Sequence, residues 1–373
     1  MSVQSMGGKG ATVKRTMYAV VMAGGKGTRF WPRSTEKKPK HLLEIFSEKT
    51  ILRETVDRIK PLIPGENIFV VTGRSHAIDV MRQLPDVPKT HILVEPLGRN
   101  TAPCIGLAAL HVRRCDPGGV MVVLPSDHFI GRQKAFLRVL SIAGQAAAAG
   151  EKALVTVGVC PSRPETGYGY IERGDQIARF KRGRVFQARS FREKPDLKKA
   201  RTFVRSGRFY WNSGIFVWKA STILEAIDAF LPRLGDGLRE IDAALGTRRE
   251  KNVVKKVYGR TAPVSIDYGV MEKSGNVLLV EGDFGWSDAG NWDALWELGE
   301  KDRQGNVLNG KVLTVDACRS YVWSPNRLVA LVGVEDLIVV ETGDSVLICR
   351  RGSSQGVRDV VDALEKNRMW EYL

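Results

Sequence analysis

The sequence lacks any apolar run long enough to cross a membrane, and it contains few cysteines. No hydrophobic stretch approaches the roughly 20 residues of a transmembrane helix, and residues 1–16 lack the apolar segment of a secretion signal. The five cysteines are widely separated and form no Cys-x-x-Cys pair, which argues against a disulfide framework or a thiolate zinc site. We expect a cytoplasmic protein with a disordered basic extension at residues 1–16, and buried thiols at Cys104 and Cys160.

The chain also lacks the two best-known nucleotide-binding motifs, although a glycine-rich loop follows its first apolar run. Three glycines come directly after the strand predicted at residues 17–22, namely Gly24, Gly25 and Gly27. The spacing is not that of a Walker loop, and Phe30 stands where the dinucleotide fingerprint needs its last glycine. Glycine lets backbone amides approach anionic oxygens, and Arg29 and Lys40 add positive charge. These features favour a phosphate-binding loop over a plain surface turn.

Basic residues outnumber acidic ones by 57 to 41, so the formal net charge is +16. Such an excess often indicates a polyanionic partner. The basic residues are nevertheless spread along the chain, and no nucleic-acid recognition motif is present. We therefore expect scattered surface charge and a cationic pocket for small phosphates, with neither nucleic acid nor a membrane as partner.

The first half of the chain alternates strand and helix patterns, which predicts an α/β fold with a mixed, mostly parallel sheet and helices on both faces. The predicted strands are 17–22, 67–72, 91–95, 119–124 and 153–159. The predicted helices are 50–62, 75–84, 101–114 and 133–149. Ligands of such sheets bind beyond the C-terminal ends of the strands, where the glycine-rich loop lies.

The pattern loosens after residue 160 and changes again after Gly305. Extended segments are predicted at 168–173, 186–192, 214–218 and 277–283, with helices near 196–206 and 220–231. Short apolar runs then recur at 312–315, 321–323, 328–332, 337–340 and 346–349. Regular runs of this length are typical of a small β-solenoid or β-sandwich. A final helix is predicted near 354–370.

Two loops at predicted strand ends carry candidate nucleotide-binding residues. In the first, Thr101 can cap the following helix, whereas capping does not explain Glu95 and Asn100, whose side chains offer hydrogen-bonding groups to a ligand. In the second, Ser126 and Asp127 end a buried strand. Asp127 could hold Mg²⁺ or could simply initiate a turn, and the residues alone leave both readings open.

Four further motifs carry candidate ligand-binding residues. A Glu-Lys pair is usually a solvated ion pair that contributes little. Here a proline ends the extended segment directly after Glu193 and Lys194, so we expect both side chains to lie at a rim. Asn212 lies among aromatic residues and offers both a donor and an acceptor to a diol. Gly169 lies in a glycine-relieved turn, and Asp288 could be either a helix N-terminal residue or a functional carboxylate.

Taken together, these motifs resemble those of the sugar-nucleotide pyrophosphorylases. The string Gly-Gly-x-Gly-Thr-Arg followed by Phe30-Trp31-Pro32 and Pro39-Lys40 is most similar to the mannose-1-phosphate guanylyltransferase branch. All seven motifs occur in family order over residues 17–293. The resemblance implies a nucleotide-diphospho-sugar transferase fold, with a catalytic domain at 17–303 and a β-rich domain at 304–373 through which the chain could form a homodimer.

The resemblance also implies a reaction and the residues that perform it. The expected reaction is Mg²⁺-dependent attack of mannose 1-phosphate on the α-phosphorus of GTP, which gives GDP-mannose and pyrophosphate. The expected catalytic residues are Arg29, Lys40, Asp127, Lys194 and Asp288, of which Asp127 and Asp288 are the metal ligands. The expected nucleotide-binding residues are Ala23, Gly24, Gly25, Gly27, Thr28, Arg29, Lys40, Glu95, Asn100, Thr101 and Ser126. The expected sugar-phosphate-binding residues are Gly169, Glu193, Lys194 and Asn212.

Three alternatives stay open at this point. The enzyme could use another sugar phosphate, such as a manno-heptose phosphate or glucose 1-phosphate, or another base. The chain could be a catalytically silent sugar-nucleotide sensor, although such a protein would be expected to lack Asp127, Asp288 or Lys194. A third alternative is a Rossmann oxidoreductase, although the sequence lacks the dinucleotide-binding fingerprint of that class. The chain has no histidine cluster like that of the isomerase domain in longer bifunctional relatives, so we expect no isomerase activity.

Overall fold

In the computed structural model, which describes residues 16–25, 27–180 and 183–373, strands and helices alternate through the first half of the chain. The strands are β1 (Met17–Ala23), β2 (Ile68–Gly73), β3 (Ile92–Glu95), β4 (Val120–Pro125), β5 (Phe129–Ile130), β6 (Leu154–Val159), β7 (Tyr170–Phe180), β8 (Gly183–Arg192), β9 (Phe209–Lys219), β10 (Val277–Gly282), β11 (Trp286–Ser287), β12 (Val307–Val315), β13 (Tyr321–Val332), β14 (Leu337–Glu341) and β15 (Val346–Arg350). The helices are α1 (Ile51–Ile59), α2 (Ala77–Gln83), α3 (Thr101–Cys115), α4 (Gln133–Ala149), α5 (Leu197–Ser206), α6 (Ala220–Phe230), α7 (Pro232–Ala244), α8 (Glu250–Arg260), α9 (Trp292–Leu298) and α10 (Val357–Lys366). Residues 1–15 of the predicted extension lie outside the described residues.

The chain forms two compact units, which do not follow sequence order. The first unit contains, of the described residues, those up to Ala23 together with those in Val56–Ser126 and Ile130–Trp286. The second unit contains Gly24–Thr55, Asp127–Phe129 and Ser287–Leu373. The glycine-rich loop thus belongs to the same unit as the C-terminal strands. The domain bounds expected from the sequence, 17–303 and 304–373, stay a prediction.

The first unit is built on a nine-stranded sheet in the order β3-β2-β1-β4-β9-β6-β10-β8-β7. Its first four strands are parallel, because each returns through a helix or loop on the sheet face. Val20 and Val123 pack with α3 in one hydrophobic cluster. Val21 and Val122 alternate with them and are also fully buried, so both faces of the sheet are covered.

Five strands of this sheet close into a ring. β9 is antiparallel to both β4 and β6, and β10 lies parallel to β6. β7 and β8 form a long antiparallel ribbon, and β7 pairs again with β9 where Tyr170 lies opposite Trp211. The ring therefore runs β9-β6-β10-β8-β7 and back to β9.

Helices α7 and α8 were not expected from the sequence, and glycines inside α7 explain why. Glycine lowers helix propensity, so Gly235 and Gly237 weaken the helical pattern. In the structure both positions need a small residue: an added Cβ would lie 2.2 Å from Asp228 at Gly235 and 2.7 Å from Val257 at Gly237. Close helix packing therefore accounts for the residues that hid the helix.

The second unit contains a four-stranded sheet in the order β12-β13-β14-β15. The first two pairings are parallel and the last is antiparallel, which fits a β-solenoid rather than a sandwich of antiparallel sheets. β13 unites two runs that the sequence separates, and α10 is shorter than the predicted helix because three-residue turns flank it at Ser354–Gly356 and Trp370–Tyr372.

Two predictions drawn from composition meet different outcomes. Cys104 is buried as predicted, but Cys160 is exposed, because β6 ends at Val159 and Cys160 begins the loop that follows. Among the described residues, none of the helices is long and apolar enough to cross a lipid bilayer.

Candidate active site

The glycine-rich loop of the second unit makes room for a lysine. Gly27 has φ +63°, and a Cβ there would lie 2.7 Å from the Cβ of Lys40 and 2.8 Å from Ser34 Oγ. Glycine is therefore needed both for the backbone conformation and for the close approach of Lys40. Gly24 and Arg29 are exposed on the same loop, where an added Cβ at Gly24 would meet no other atom within 4 Å.

Lys40 links the two predicted metal-binding aspartates. Its Nζ donates a hydrogen bond of 2.8 Å to Oδ2 of Asp127 and one of 2.9 Å to the main-chain oxygen of Asp288. The Asp288 carboxylate accepts a hydrogen bond from the main-chain N–H of Gly290 at 3.1 Å. The lysine side chain is only 7 % exposed. A charge-assisted contact of this kind holds the two acidic segments in one fixed arrangement.

Asp127 is ionised at neutral pH. Burial of its carboxyl opposes ionisation, but the positive charge and hydrogen bond of Lys40, together with His128 and His41, outweigh that effect and lower the pKa of Asp127 to about 2. The group is therefore a permanent anion under physiological conditions.

The residues present fit a divalent ion that is shared with a phosphorylated substrate. Carboxylate oxygens are hard ligands of the kind that Mg²⁺ prefers, and Mg²⁺ is usually held by one or two carboxylates plus substrate phosphates. In the described part of the chain, no group of three or more histidine, cysteine, aspartate or glutamate side chains could hold a metal alone. A divalent ion held by Asp127 and Asp288 would therefore need further ligands, which phosphate oxygens could supply.

The loop after β3 in the first unit differs in one detail from its prediction. α3 begins at Thr101, so its capping residue is Asn100, whose Oδ1 accepts from the Thr101 N–H at 2.8 Å. The expectation that Thr101 caps the helix is wrong, since the Thr101 hydroxyl instead accepts from the N–H of Ile266 at 2.8 Å. Arg99 donates to the main-chain oxygen of Tyr258 at 2.9 Å. The loop is thus fixed from two directions.

Glu95, at the end of β3, is engaged by the protein itself. Burial raises the pKa of Glu95 to about 7, although the Tyr258 hydroxyl lowers it by donating a hydrogen bond of 3.0 Å. Tyr258 is fully buried and belongs to α8, which the sequence did not reveal. The carboxyl therefore ties β3 to α8, and it titrates close to neutral pH.

The predicted sugar-phosphate residues converge in the first unit. The main-chain N–H of Asn212 donates to Gly169 at 2.8 Å, and that of Lys194 donates to Tyr168 at 3.2 Å. A Cβ at Gly169 would lie 2.3 Å from Oε2 of Glu193, so only glycine leaves room for this carboxylate. The Lys194 side chain is 58 % exposed and its Nζ lies 3.5 Å from Oε1 of Glu193.

One carboxylate oxygen of Glu193 has no hydrogen-bond donor among the described residues. Oε2 of Glu193 is buried and accepts no hydrogen bond from the residues that the structure describes. Burial and the nearby Asp267 raise the pKa of Glu193 to about 7, against the opposing effect of Lys194. A buried acceptor without a partner is costly in a native protein, and a ligand hydroxyl would satisfy it.

Two acidic residues of this cluster escaped the sequence analysis. Asp267 accepts from the Asn212 side chain at 2.9 Å, and Glu272 accepts from the main-chain N–H of Glu193 at 2.9 Å. Both lie on or beside the π-helical turn Asp267–Met271, a feature that is frequent at functional sites. Burial raises the pKa of Asp267. The sequence signal that could have pointed to them is weak: Ile266 lies between the polar residues Ser265 and Asp267, and this pattern fits neither a helix nor a strand period.

The structure therefore groups the predicted residues into two sets. The glycines of the loop, Thr28, Arg29, Lys40, Asp127 and Asp288 belong to the second unit. Ala23, Glu95, Asn100, Thr101, Ser126, Gly169, Glu193, Lys194 and Asn212 belong to the first. Within the first, Ser126 is buried and its N–H donates to Met22 at 3.1 Å, next to Ala23 at the end of β1.

The fold is that of an enzyme class that handles nucleotides. A family model described as nucleotidyl transferase matches residues 18–305, and one described as the MannoseP isomerase/GMP-like beta-helix domain matches residues 310–364. The chain therefore belongs to the nucleotidyl transferase family, whose members generally use a divalent metal ion.

Similar proteins narrow this class to the mannose-1-phosphate guanylyltransferases. The chain is 39 % identical to such a protein from Escherichia coli over 359 residues, which cover 95 % of this chain and 75 % of the relative. It is 39 % identical to a second, from Salmonella typhimurium, over 366 residues with the same coverage. A crystal structure from Thermus thermophilus, described as a mannose-1-phosphate geranyltransferase, is 36 % identical with a TM-score of 0.84 and covers 94 % of this chain and 99 % of that one. The resemblance and the fold class predicted from the motifs are confirmed.

Proposed function

We propose that this protein transfers the guanylyl group of GTP to mannose 1-phosphate, releasing pyrophosphate and forming GDP-mannose. The observation that carries the proposal is the lysine-bridged pair Asp127 and Asp288 beside a glycine-rich loop. With a divalent cation bound between them and the substrates, such a pair would let two phosphates meet despite their repulsion. Two unit charges 4 Å apart repel by about 4 kcal/mol at an effective dielectric constant of 20. The relatives described above support the choice of base and sugar.

We propose Mg²⁺ as the metal, held by Asp127 and Asp288 together with phosphate oxygens. When bound, it would neutralise phosphate charge and polarise the α-phosphate for attack. Lys40 keeps Asp127 ionised and correctly placed, since its two hydrogen bonds engage both acidic segments. The exposed guanidinium of Arg29 and the loop amides would contact the leaving pyrophosphate.

The sugar phosphate would be recognised by the cluster around Gly169. The buried Oε2 of Glu193 would accept a sugar hydroxyl, and the Asn212 amide, fixed by Asp267, would face the same sugar. The exposed ammonium of Lys194 would hold the attacking phosphate. That phosphate is already an oxygen nucleophile, so the reaction needs no covalent enzyme intermediate.

The deciding experiment measures pyrophosphate release from each of four nucleoside triphosphates with mannose 1-phosphate, glucose 1-phosphate and a manno-heptose 1-phosphate. We expect release with GTP and mannose 1-phosphate that stops when chelator removes the divalent ion and returns with Mg²⁺. Faster release with another base or sugar would replace the proposed substrates. The absence of release from every combination would favour a silent sensor.

We further propose that a second copy of the chain covers the C-terminal sheet. Three aliphatic side chains on one face of the adjacent strands β12 and β13 are more than half exposed, since Leu313 lies opposite Ala330: Leu313 (55 %), Leu328 (68 %) and Val332 (65 %). An identical surface on a second copy would be self-complementary across a two-fold axis. Sedimentation should show a dimer that Leu328→Lys dissociates, whereas Ile78→Lys, at an equally exposed position of the first unit, should leave it intact. A monomeric wild type would overturn this proposal.

A further inference from the structure

A second polar cavity lies in the first unit, and none of the predicted substrate-binding residues lines it. Its volume is about 720 Å³, which is within the range of small-molecule sites. It is bounded by α4 and by segments of the five-stranded ring: Arg138 on α4, Arg179 on β7, Arg184 on β8, Tyr210 on β9, Glu281 on β10 and Cys160 just after β6.

Arginines outnumber acidic residues in the lining of this cavity, three (Arg138, Arg179 and Arg184) to two (Glu281 and Asp283). Glu281 is already neutralised by Arg173 and Arg184, whose guanidinium groups lie 3.3 Å and 2.8 Å from its carboxylate, and it also accepts from the Tyr210 hydroxyl. Asp283 is paired with Arg132. Among the residues that the structure describes, no carboxylate pairs with Arg138 or Arg179.

Arg138 on α4 and Arg179 on β7 are exposed side chains that line the same cavity, although they are far apart in sequence. Guanidinium groups match the geometry of phosphate and form two parallel hydrogen bonds with it. Gln176 and Phe180 also line the cavity, adding a polar side chain and an aromatic side chain. The space is larger than a bare phosphate requires.

We propose that this cavity is a separate binding site for a small organic phosphate, with Arg138 and Arg179 holding its phosphate group. The site is independent of the substrate residues, although Tyr210 lies only two positions before Asn212 in β9. The organic part of the ligand would lie against Phe180 and Tyr210.

Cys160 provides a local reporter, because it is exposed and lines the cavity. The rate at which iodoacetamide alkylates Cys160 would be followed by peptide mass spectrometry in the full chain. Probes would be GDP, glucose 6-phosphate and inorganic phosphate, each compared with potassium chloride at equal ionic strength. Cys115 is also exposed and does not line the cavity, so it is the internal control.

We expect at least one of the two organic phosphates to slow alkylation of Cys160, but not of Cys115, at concentrations below those that inorganic phosphate needs. In Arg138→Gln/Arg179→Gln the concentration for half-protection should rise at least about tenfold, as the loss of charged hydrogen bonds implies. The control Arg233→Gln/Arg248→Gln removes two exposed charges elsewhere and should keep wild-type protection.

Three results would overturn the proposal. They are unchanged alkylation of Cys160 with every probe, protection matched by potassium chloride or by inorganic phosphate, and protection that survives in the double variant. Arg179→Gln alone gives the same test with a smaller expected shift. Turnover of the double variant, measured without added effector, verifies that its fold and substrate site are intact.

Discussion

At the scale of single residues, two glycines serve charged neighbours. Gly27 makes room for Lys40, and Gly169 makes room for the carboxylate of Glu193. Each glycine is therefore one half of a pair whose other half is a predicted functional side chain. The sequence motif predicts that glycines let the backbone approach phosphates; the structure adds that the absence of a Cβ also positions the charged group.

Arg29→Ala tests whether the loop contributes charge to catalysis rather than stability. The Arg29 side chain is exposed, so its removal should change the free energy of unfolding by less than about 0.5 kcal/mol. Turnover should nevertheless fall by about 10²-fold, as for the loss of one group that stabilises developing charge. Arg74→Ala, also exposed, is the matched control for steady-state kinetics and urea unfolding. Wild-type turnover in Arg29→Ala would reject the proposed role.

Glu193→Gln tests the buried acceptor through pH. Because the pKa of Glu193 is about 7, the carboxylate that accepts a sugar hydroxyl becomes populated as the pH rises through 7. We expect kcat/KM for mannose 1-phosphate to be at least about tenfold lower in the variant at pH 8. The ratio of wild-type to variant kcat/KM should shrink toward pH 6. Because both enzymes use the same substrate, this ratio cancels the effect of the substrate's own ionisation. A ratio that is constant with pH would contradict the assignment.

At the scale of elements, the C-terminal segment supports the glycine-rich loop. The indole N–H of Trp31 donates to the main-chain oxygen of Tyr372 at 2.8 Å, and that of Trp292 on α9 donates to Trp31 at 3.0 Å. Phe30 packs on Trp292, and its ring centroid lies 5.2 Å from the Lys40 ammonium. The turn Trp370–Tyr372 is thus connected through packed aromatic rings to the lysine that holds Asp127.

Trp31→Phe should reveal this support. The substitution keeps an aromatic ring but removes the donor to Tyr372, at a cost of about 1 kcal/mol. We expect KM for GTP to rise about threefold to tenfold, with little change in KM for mannose 1-phosphate. Trp370→Phe, in which the replaced side chain is 61 % exposed, is the control in the same kinetic assay. Equal changes in both Michaelis constants would indicate general loosening of the fold instead.

Elements with strong hydrophobic periodicity could be predicted from the sequence. Elements whose residues are determined by contacts with segments distant in sequence could not. The predicted strand 153–159 and helix 133–149 match β6 and α4 within a residue, because local pattern decides them. α7 was not predicted because its glycines, which allow close packing against neighbouring helices, weaken its helical pattern. Asp267 escaped because its partner, Asn212, is distant in sequence and its own turn has no regular period.

At the scale of the whole molecule, three carboxyl groups with shifted pKa values make stability depend on pH in two opposite directions. Asp127 has its pKa lowered to about 2, so its contribution is present above the ordinary value of 3.8 and is lost as the pH falls through 2. Glu95 and Glu193 have pKa values raised from 4.5 to about 7, so the folded protein binds protons that the unfolded chain has released between these values. Their effect lowers stability as the pH rises from about 4.5 to 7. These three groups together favour maximal stability near pH 4 to 5.

Glu95→Gln isolates one of these contributions, and it is the sharper choice because Tyr258 can donate to the new amide oxygen as it does to the carboxylate. Urea unfolding of the wild type should show a free energy that declines between pH 5 and pH 8, by up to about 3 kcal/mol for each raised carboxyl group. In Glu95→Gln the decline should be smaller, with the variant gaining on the wild type as the pH rises. Glu225→Gln, at an exposed position, should keep the wild-type slope. A Glu95→Gln curve parallel to that of the wild type would mean that the Glu95 carboxyl is ionised without penalty, and that the tie between β3 and α8 does not depend on its proton.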